Sequence, residues 1–163
     1  VTPFKGDYIN YVERVPLGLV VQITPWNHPL LISIKKLSCA LAAGNSVVLK
    51  PPELSPVSIL RIADFLNESG LPKGVFNIVQ GYGSKIGEKL CVNNYVSKID
   101  LTGGDKAGKI IGEHAGKNGI YYYTELGGKS PMLVFEDCEI EKVVSGITSV
   151  PFTHLKPPTK HLL

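Results

Sequence analysis

Short apolar runs alternate along this chain with longer stretches in which apolar residues recur every three to four positions. Residues 17–23 (LGLVVQI) form the first such run. Its length and its β-branched content read as a strand covered on both faces. Residues 46–49, 75–79, 96–101 and 120–125 repeat the pattern. Between them, residues 29–43, 57–69, about 81–91 and 106–115 carry a helical period. In residues 57–69, Ile59, Leu60, Ile62, Ala63 and Leu66 share one broad face. Pro29 suits a first helical turn, and Gly44 and Gly70 suit helix stops. Residues 131–135 read as a further strand and residues 139–144 as the start of a helix. Strands and helices alternating at this spacing predict a parallel α/β sheet buried on both faces. Residues 1–15, with Tyr8, Ile9, Tyr11 and Val12 among polar positions, would supply part of a strand needing partners elsewhere. Residues 151–163 break the rhythm with three prolines, two lysines, two histidines and no acid, and read as a tail.

Composition narrows the function classes. The chain has 163 residues, 44% hydrophobic and 19% charged, enough for one domain with a core. A net charge of +3 with scattered Lys and Arg argues against a nucleic-acid partner. The longest apolar stretch, residues 30–43, is interrupted by Lys35 and Lys36 and is too short for a membrane span. Cys39, Cys91 and Cys138 form no CxxC pair and no disulfide framework, which fits a reducing compartment, and the cytoplasm is the expected location. His28, His114, His154 and His161 are not at ligand spacing, so no metal is expected. The chain starts at Val1 and its one methionine is Met132, so it reads as a fragment.

In a parallel α/β sheet, ligands bind beyond the carboxyl ends of the strands. The loops there are Thr24-Pro25-Trp26-Asn27-His28-Pro29, Lys50-Pro-Pro-Glu53, Gln80-Gly81-Tyr82-Gly83, Thr102-Gly103-Gly104-Asp105-Lys106-Ala107-Gly108 and Glu125-Leu126-Gly127-Gly128-Lys129. An acid after the second strand is what a dinucleotide site sets against ribose hydroxyls, and Glu53 stands there. Gly103 and Gly104 open a helix, where backbone N–H groups can meet a pyrophosphate. Each feature has a plainer reading. Loop glycines serve turns, Trp26 can be packing, and Lys50 with Glu53 can be a solvated pair. No GxGxxG follows the first strand.

Taken together, Pro25-Trp-Asn-His-Pro29, Lys50-Pro-Pro-Glu53, Gly70-Leu-Pro-Lys-Gly-Val75 and Glu125-Leu-Gly-Gly-Lys-Ser-Pro131, in this order, resemble the aldehyde dehydrogenase superfamily. The likeness runs from about Val15 to about Val144. It implies a Rossmann-like parallel sheet flanked by helices, here incomplete, that binds NAD, with NADP the lesser alternative. It implies an aldehyde as substrate, attacked by a cysteine thiolate, and a homo-oligomeric full-length relative. Asn27 matches the amide that stabilises the oxyanion, a donor whose loss typically costs about 10²–10³ in rate. The plainer reading is a helix cap before Pro29. Glu125 matches the general base, against the reading of a surface pair with Lys129. Lys50 and Glu53 match the adenosine-ribose contacts, and a carboxylate there disfavours a 2′-phosphate. Ile23, Thr24, Pro25, Trp26, Gly81, Thr102, Gly103, Gly104, Gly108, Leu126 and Gly127 match positions along the cofactor. The implied division is a partial strand or oligomerisation segment at 1–15, a dinucleotide-binding domain at 16–130, the start of the catalytic domain at 131–147 and a non-family tail at 148–163.

Some positions depart from the family pattern. Leu101 replaces a common Phe, Gly104 a common pyrophosphate-binding Ser, and Thr124 an apolar residue. The family's Gly-Gln-x-Cys turn is due near Thr159, where no Gly-Gln and no Cys occur. A shifted frame, a missed exon boundary or a pseudogene would each explain such a tail. Cys138 sits among Glu136, Asp137 and Glu139, which disfavour a thiolate. Cys39, in an apolar helix, reads as buried and structural, and Cys91 has no evident base. The expectation is therefore an aldehyde dehydrogenase by descent that is inactive as this chain alone. A non-catalytic NAD-binding or assembly module is the alternative.

Overall fold

Five parallel strands hydrogen-bond in the order β3-β2-β1-β4-β5, in a computed structural model that describes residues 10–128 and 131–149. In chain order the elements are β1 (Leu19–Ile23), α1 (Pro29–Ala42), β2 (Ser46–Lys50), α2 (Val57–Glu68), β3 (Phe76–Ile78), α3 (Gly83–Cys91), β4 (Val96–Thr102), α4 (Asp105–Lys117), β5 (Tyr121–Glu125) and α5 (Ile140–Ser149). The chain winds outward from β1 through β2 to β3, then crosses back to β4 on the other side of β1. This doubly wound path leaves a switch point between β1 and β4.

Side-chain alternation sorts the strands into two cores. Val21 aligns with Val48 and Ile99, and Ile99 with Tyr122, so these residues share one face. There Val21, Ile23, Ile99 and Leu101 pack with Cys91 of α3 and Ile111 and Ala115 of α4. On the other face Val47 and Leu49 pack with Leu37 of α1 and Ile59 and Ile62 of α2. A fully buried Leu or Ile contributes about 1.5–3 kcal/mol. Leu49, Ile59, Ile99 and Leu101 are each under 2% exposed, so these four anchor the helices to the sheet. β5 departs from the expected double burial. Tyr121 and Tyr123 are 70% and 50% exposed, because β5 is an edge strand with neighbours on one side only.

The α1–β2 turn explains why β1 starts later than the apolar run. Leu17 and Gly18 donate their N–H groups to Asn45 Oδ1 at 2.7 and 3.1 Å rather than to a strand. Asn45 Nδ2 in turn donates to Ala40 O at the end of α1. Gly44 ends the helix with φ +78, and a Cβ there would stand 2.9 Å from Pro16 Cγ. Only glycine satisfies both constraints.

The chain divides into two compact units between Gly127 and Gly128. In the second, α5 forms as expected, but residues 131–135 carry no regular structure. A strand requires a hydrogen-bonding partner, and no other extended segment occurs among the described residues of this unit. The expected contribution of residues 1–15 to a strand is absent from residues 10–15. Residues 1–9 and the tail at 150–163 lie outside the described residues.

Two glycines of α4 give a matched stability test. A Cβ at Gly112 would stand 2.9 Å from Tyr122 Cε1, whereas one at Gly116 meets nothing within 4 Å. The Tyr122 ring cannot yield freely, because its hydroxyl donates to Gly108 O at 2.7 Å. Gly116→Ala should stabilise by about 0.5–1 kcal/mol through helix propensity. Gly112→Ala gains the same propensity but overpacks the ring, at about 1–3 kcal/mol. Thermal denaturation should raise the midpoint of the first variant and lower that of the second.

Candidate cofactor and active-site rim

Because all five strands run the same way, the residues that follow each one share a single edge of the sheet. Ile23 is in register with both Lys50 and Leu101, and Thr102 with Glu125. Asn27, Glu53, Gly103 and Glu125, which follow or close these strands, therefore come to the same rim.

The β2–α2 loop is held by a buried lysine. Lys50 is 4% exposed, so the reading of a solvated pair is corrected for its lysine half. Its Nζ donates to Pro51 O at 3.0 Å and to Glu53 Oε1 at 2.9 Å. Glu53 Oε1 also accepts the N–H of Gly83, the first residue of α3, at 2.8 Å. The carboxylate thus caps a helix N-terminus, where negative charge is favoured. Burial pushes the Glu53 carboxyl up, but the hydrogen bonds from Lys50 and from the backbone N–H groups of Glu53 and Gly83 outweigh it, and the group lies below its ordinary range. Gly81 shapes this loop with φ +153, and a Cβ there would meet Ile86 at 3.2 Å.

In the β1–α1 loop, Thr24 is buried. Its Oγ1 accepts a hydrogen bond from Ser33 of α1 at 3.3 Å, and its N–H donates to Lys50 O at 3.2 Å. Pro25 is half-buried. Trp26 is 66% exposed, so it is not core packing. Its carbonyl accepts from Ser55 Oγ at 3.2 Å, which ties this loop to the β2–α2 loop. The residue before α1 is His28, and no side chain caps that helix. The reading of Asn27 as its cap is therefore not borne out, and Asn27 stands exposed at the rim.

At β4 and β5, neighbouring glycines do different work. Gly103 donates its N–H to Glu125 O at 3.1 Å, extending the β4–β5 ladder. Its N–H is thus committed to the sheet and not offered to a ligand, which corrects that part of the expectation. Gly104 precedes α4, no side chain caps that helix, and a Cβ at Gly104 meets nothing within 4 Å. The first N–H groups of a helix lack intrahelical acceptors, so this end faces outward with donors to spare. Thr102 is half-buried at the end of β4. Gly108 is buried inside α4, where a Cβ would stand 2.7 Å from both Leu126 methyls. Its place is under Leu126, a packing role. Gly127 N–H donates to Asp105 Oδ1 at 3.1 Å. Glu125 is exposed and accepts from Tyr123 Oη at 2.5 Å. Lys129, its alternative partner, lies outside the described residues.

Sequence patterning assigns no role to Gly83, Asp105 or Tyr123. Tyr123 was legible, since residues two apart on a strand share a face. Gly83 and Asp105 reach their partners across the fold, and local spacing carries no sign of that.

The two described thiols of the first unit differ in access. Cys91 is fully buried, and burial pushes its thiol from 9.0 up to about 11. Cys39 is exposed rather than buried. The sheet is met by Ser33 and Leu37 on one side of α1, and Cys39 falls outside that side. Among the described residues no three His, Cys, Asp or Glu side chains come close enough to hold a metal, and no helix is long and apolar enough to cross a membrane. A depression of about 410 Å³ lined by Leu17, Asn93, Asn118 and Tyr121 lies at the opposite, amino edge of β4 and β5.

The fold and rim define a doubly wound, Rossmann-like α/β domain. The sequence profile of the aldehyde dehydrogenase family matches residues 1–155, and the chain belongs to that family. The matched span reaches into both 1–15 and 148–155. Cytosolic aldehyde dehydrogenase 1 of Rattus norvegicus is 41% identical over 93% of this chain and 30% of its own. Aldehyde dehydrogenase [NAD(P)+] 1 of Saccharomyces cerevisiae is 44% identical over 90% of this chain and 29% of its own. The NAD+ complex of an aldehyde dehydrogenase from Bacillus cereus superposes with a TM-score of 0.84 at 39% identity, covering 89% of this chain and 30% of that one. The chain thus spans about 30% of the length of the relatives it matches.

The Cys91 thiol predicts an alkaline weakness. Its folded value lies above its unfolded one, so its contribution is complete below about 9.0 and is lost as pH rises through about 11. The thermal midpoint should fall across that interval, and Cys91→Val should flatten the fall. An equal slope in both proteins would remove Cys91 as the cause.

Proposed function

We propose that this chain is the NAD-binding portion of a dehydrogenase that oxidises an aldehyde to a carboxylic acid. The observation that carries the reading is the gathering of Trp26 and Asn27, Glu53, the α4 N-terminus and Glu125 on one carboxyl edge. Two local features fit a dinucleotide. Glu53 presents a carboxylate fixed by Lys50 and Gly83 and still 38% exposed, suited to accept hydrogen bonds from ribose hydroxyls. The uncapped N-terminus of α4, with open space over Gly104, suits a pyrophosphate. Gly104 lacks the hydroxyl of a serine, so backbone N–H groups would carry that contact.

When bound, NAD accepts a hydride from the substrate carbon. In this reading the chain's own residues bind, orient and move a proton. Ile23, Thr24, Pro25 and Trp26 would wall the cofactor on the β1 side, and Thr102, Leu126 and Gly127 on the β4–β5 side. Gly81 would shape the adenosine end, and Gly108 would act indirectly by seating Leu126. The Asn27 amide would donate to an oxyanion without titrating, which suits a group whose task is to meet developing charge. The Glu125 carboxylate would accept the proton of a thiol or a water. A fixed anion at Glu53 would repel a 2′-phosphate, which favours NAD over NADP. Residues 16–130 would form the binding domain, and residues 131–147 would begin the catalytic domain. Neither described thiol of the first unit, Cys39 or Cys91, is among the rim residues, and the sequence holds no Gly-Gln-x-Cys. This chain alone should therefore bind NAD without turning over.

The chain's single tryptophan, Trp26, reports on this rim alone. Its fluorescence should change saturably as NAD is added. Glu53→Gln should weaken NAD by about tenfold, or about 1.4 kcal/mol, and should narrow the preference over NADP. Added aldehyde should produce no absorbance at 340 nm. Absence of any saturable change, or an unaltered nucleotide preference in Glu53→Gln, would reject the reading.

A further inference from the structure

Assigning proton transfer to Glu125 leaves open what holds its carboxylate. Tyr123 and Glu125 lie two residues apart on β5, so both side chains leave the sheet on the same face. The Tyr123 hydroxyl donates to Glu125 Oε1 at 2.5 Å, at the short end of the range for a hydroxyl on a carboxylate. The tyrosine ring is itself braced. Lys98 Nζ, from β4, stands 5.6 Å from its centroid, and Lys36 Nζ, from α1, stands 5.8 Å away. Cations at this range are attracted to the ring. Lys36 is anchored in turn by an ion pair with Asp100, their side chains only 8% and 14% exposed. Asp100 is the register partner of Tyr123 on β4. The charged groups facing the phenol are thus Lys36 from α1, Lys98 and Asp100 from β4, and Glu125 from β5. A continuous line runs from a nearly buried ion pair, through the ring, to the carboxylate at the rim.

We propose that Tyr123 is a positioning residue, whose hydroxyl holds the Glu125 carboxylate in one resting orientation at the rim. This deepens the reading of Glu125 as the proton acceptor and rests on it. Tyr123 touches no reacting atom; it acts through the carboxylate it donates to. The Tyr123 phenol is pushed above its ordinary range, first by that hydrogen bond and then by the Glu125 charge, by desolvation and by the Asp100 charge. The same interaction is thus visible from the tyrosine side.

The test uses the full chain, labelled with ¹³C at tyrosine Cζ and in glutamate side chains. In the native protein, side-chain couplings of Glu125 should report one dominant rotamer, and Tyr123 should ionise above its ordinary range. Tyr123→Phe keeps the ring over its lysines but removes the donor, and should leave Glu125 averaging among rotamers. Glu125→Gln should bring Tyr123 ionisation back toward its ordinary range. If Tyr123→Phe does not fold, the Glu125→Gln titration decides alone. A single Glu125 rotamer that survives Tyr123→Phe would overturn the proposal, as would Tyr123 ionisation that ignores Glu125→Gln. Neither readout involves nucleotide or aldehyde, so failure here is distinct from failure of the dehydrogenase reading, which falls on the NAD titration.

Discussion

Parallel pairing of β1 between β2 and β4 is the constraint from which the site follows. A parallel strand cannot return by a tight hairpin, so each connection becomes a helix and each strand ends on the same edge. Val21 and Ile23 of β1 are buried against α3 and α4, while Val47 and Leu49 of β2 are buried against α1 and α2. Packing on both faces leaves the chain few ways to expose polar backbone except at the strand ends. Loops there can be polar and glycine-rich because the buried sheet beneath them carries the packing.

The loops do not act independently. Lys50 and Glu53 belong to the second crossover and Gly83 to the third, yet one carboxylate oxygen joins them. Ser55 reaches the Trp26 carbonyl, so the first crossover is tied to the second. Asp105 accepts from Gly127 and Gly103 donates to Glu125, which ties the fourth crossover to the end of β5. The rim thus holds two sets of hydrogen bonds, one joining the first three crossovers and one joining the fourth to the end of β5. Such ties hold donors and acceptors in place before any ligand arrives, which lowers the ordering cost of binding.

Periodicity made most of this legible. The alternation of apolar runs and helical stretches predicts all five strands of the sheet and the helices between them, because strand burial and helix amphipathicity leave different spacings. It cannot tell how wide a helix face its neighbour covers. Cys39 sits in an apolar helix and is nevertheless exposed. Nor does it tell whether a strand finds a partner, and residues 131–135 do not. At the rim, the motif glycines are visible as letters but not as roles. Gly103 spends its N–H on the sheet, Gly104 opens the α4 end, and Gly108 makes room for Leu126. The roles of Gly103 and Gly108 depend on partners more than ten residues away, and no local pattern encodes them.

The central claim is that one nucleotide lies along the carboxyl edge. It is tested most directly by following the backbone amides of the ¹⁵N-labelled chain as NAD is added. The amides of Trp26, Gly83, Gly104, Asp105 and Gly127 should shift together with one saturation curve, while those of Asn93, Ser97 and Asn118 at the amino edge stay still. Shifts centred on the amino-edge depression, or divided between the two edges, would contradict the account.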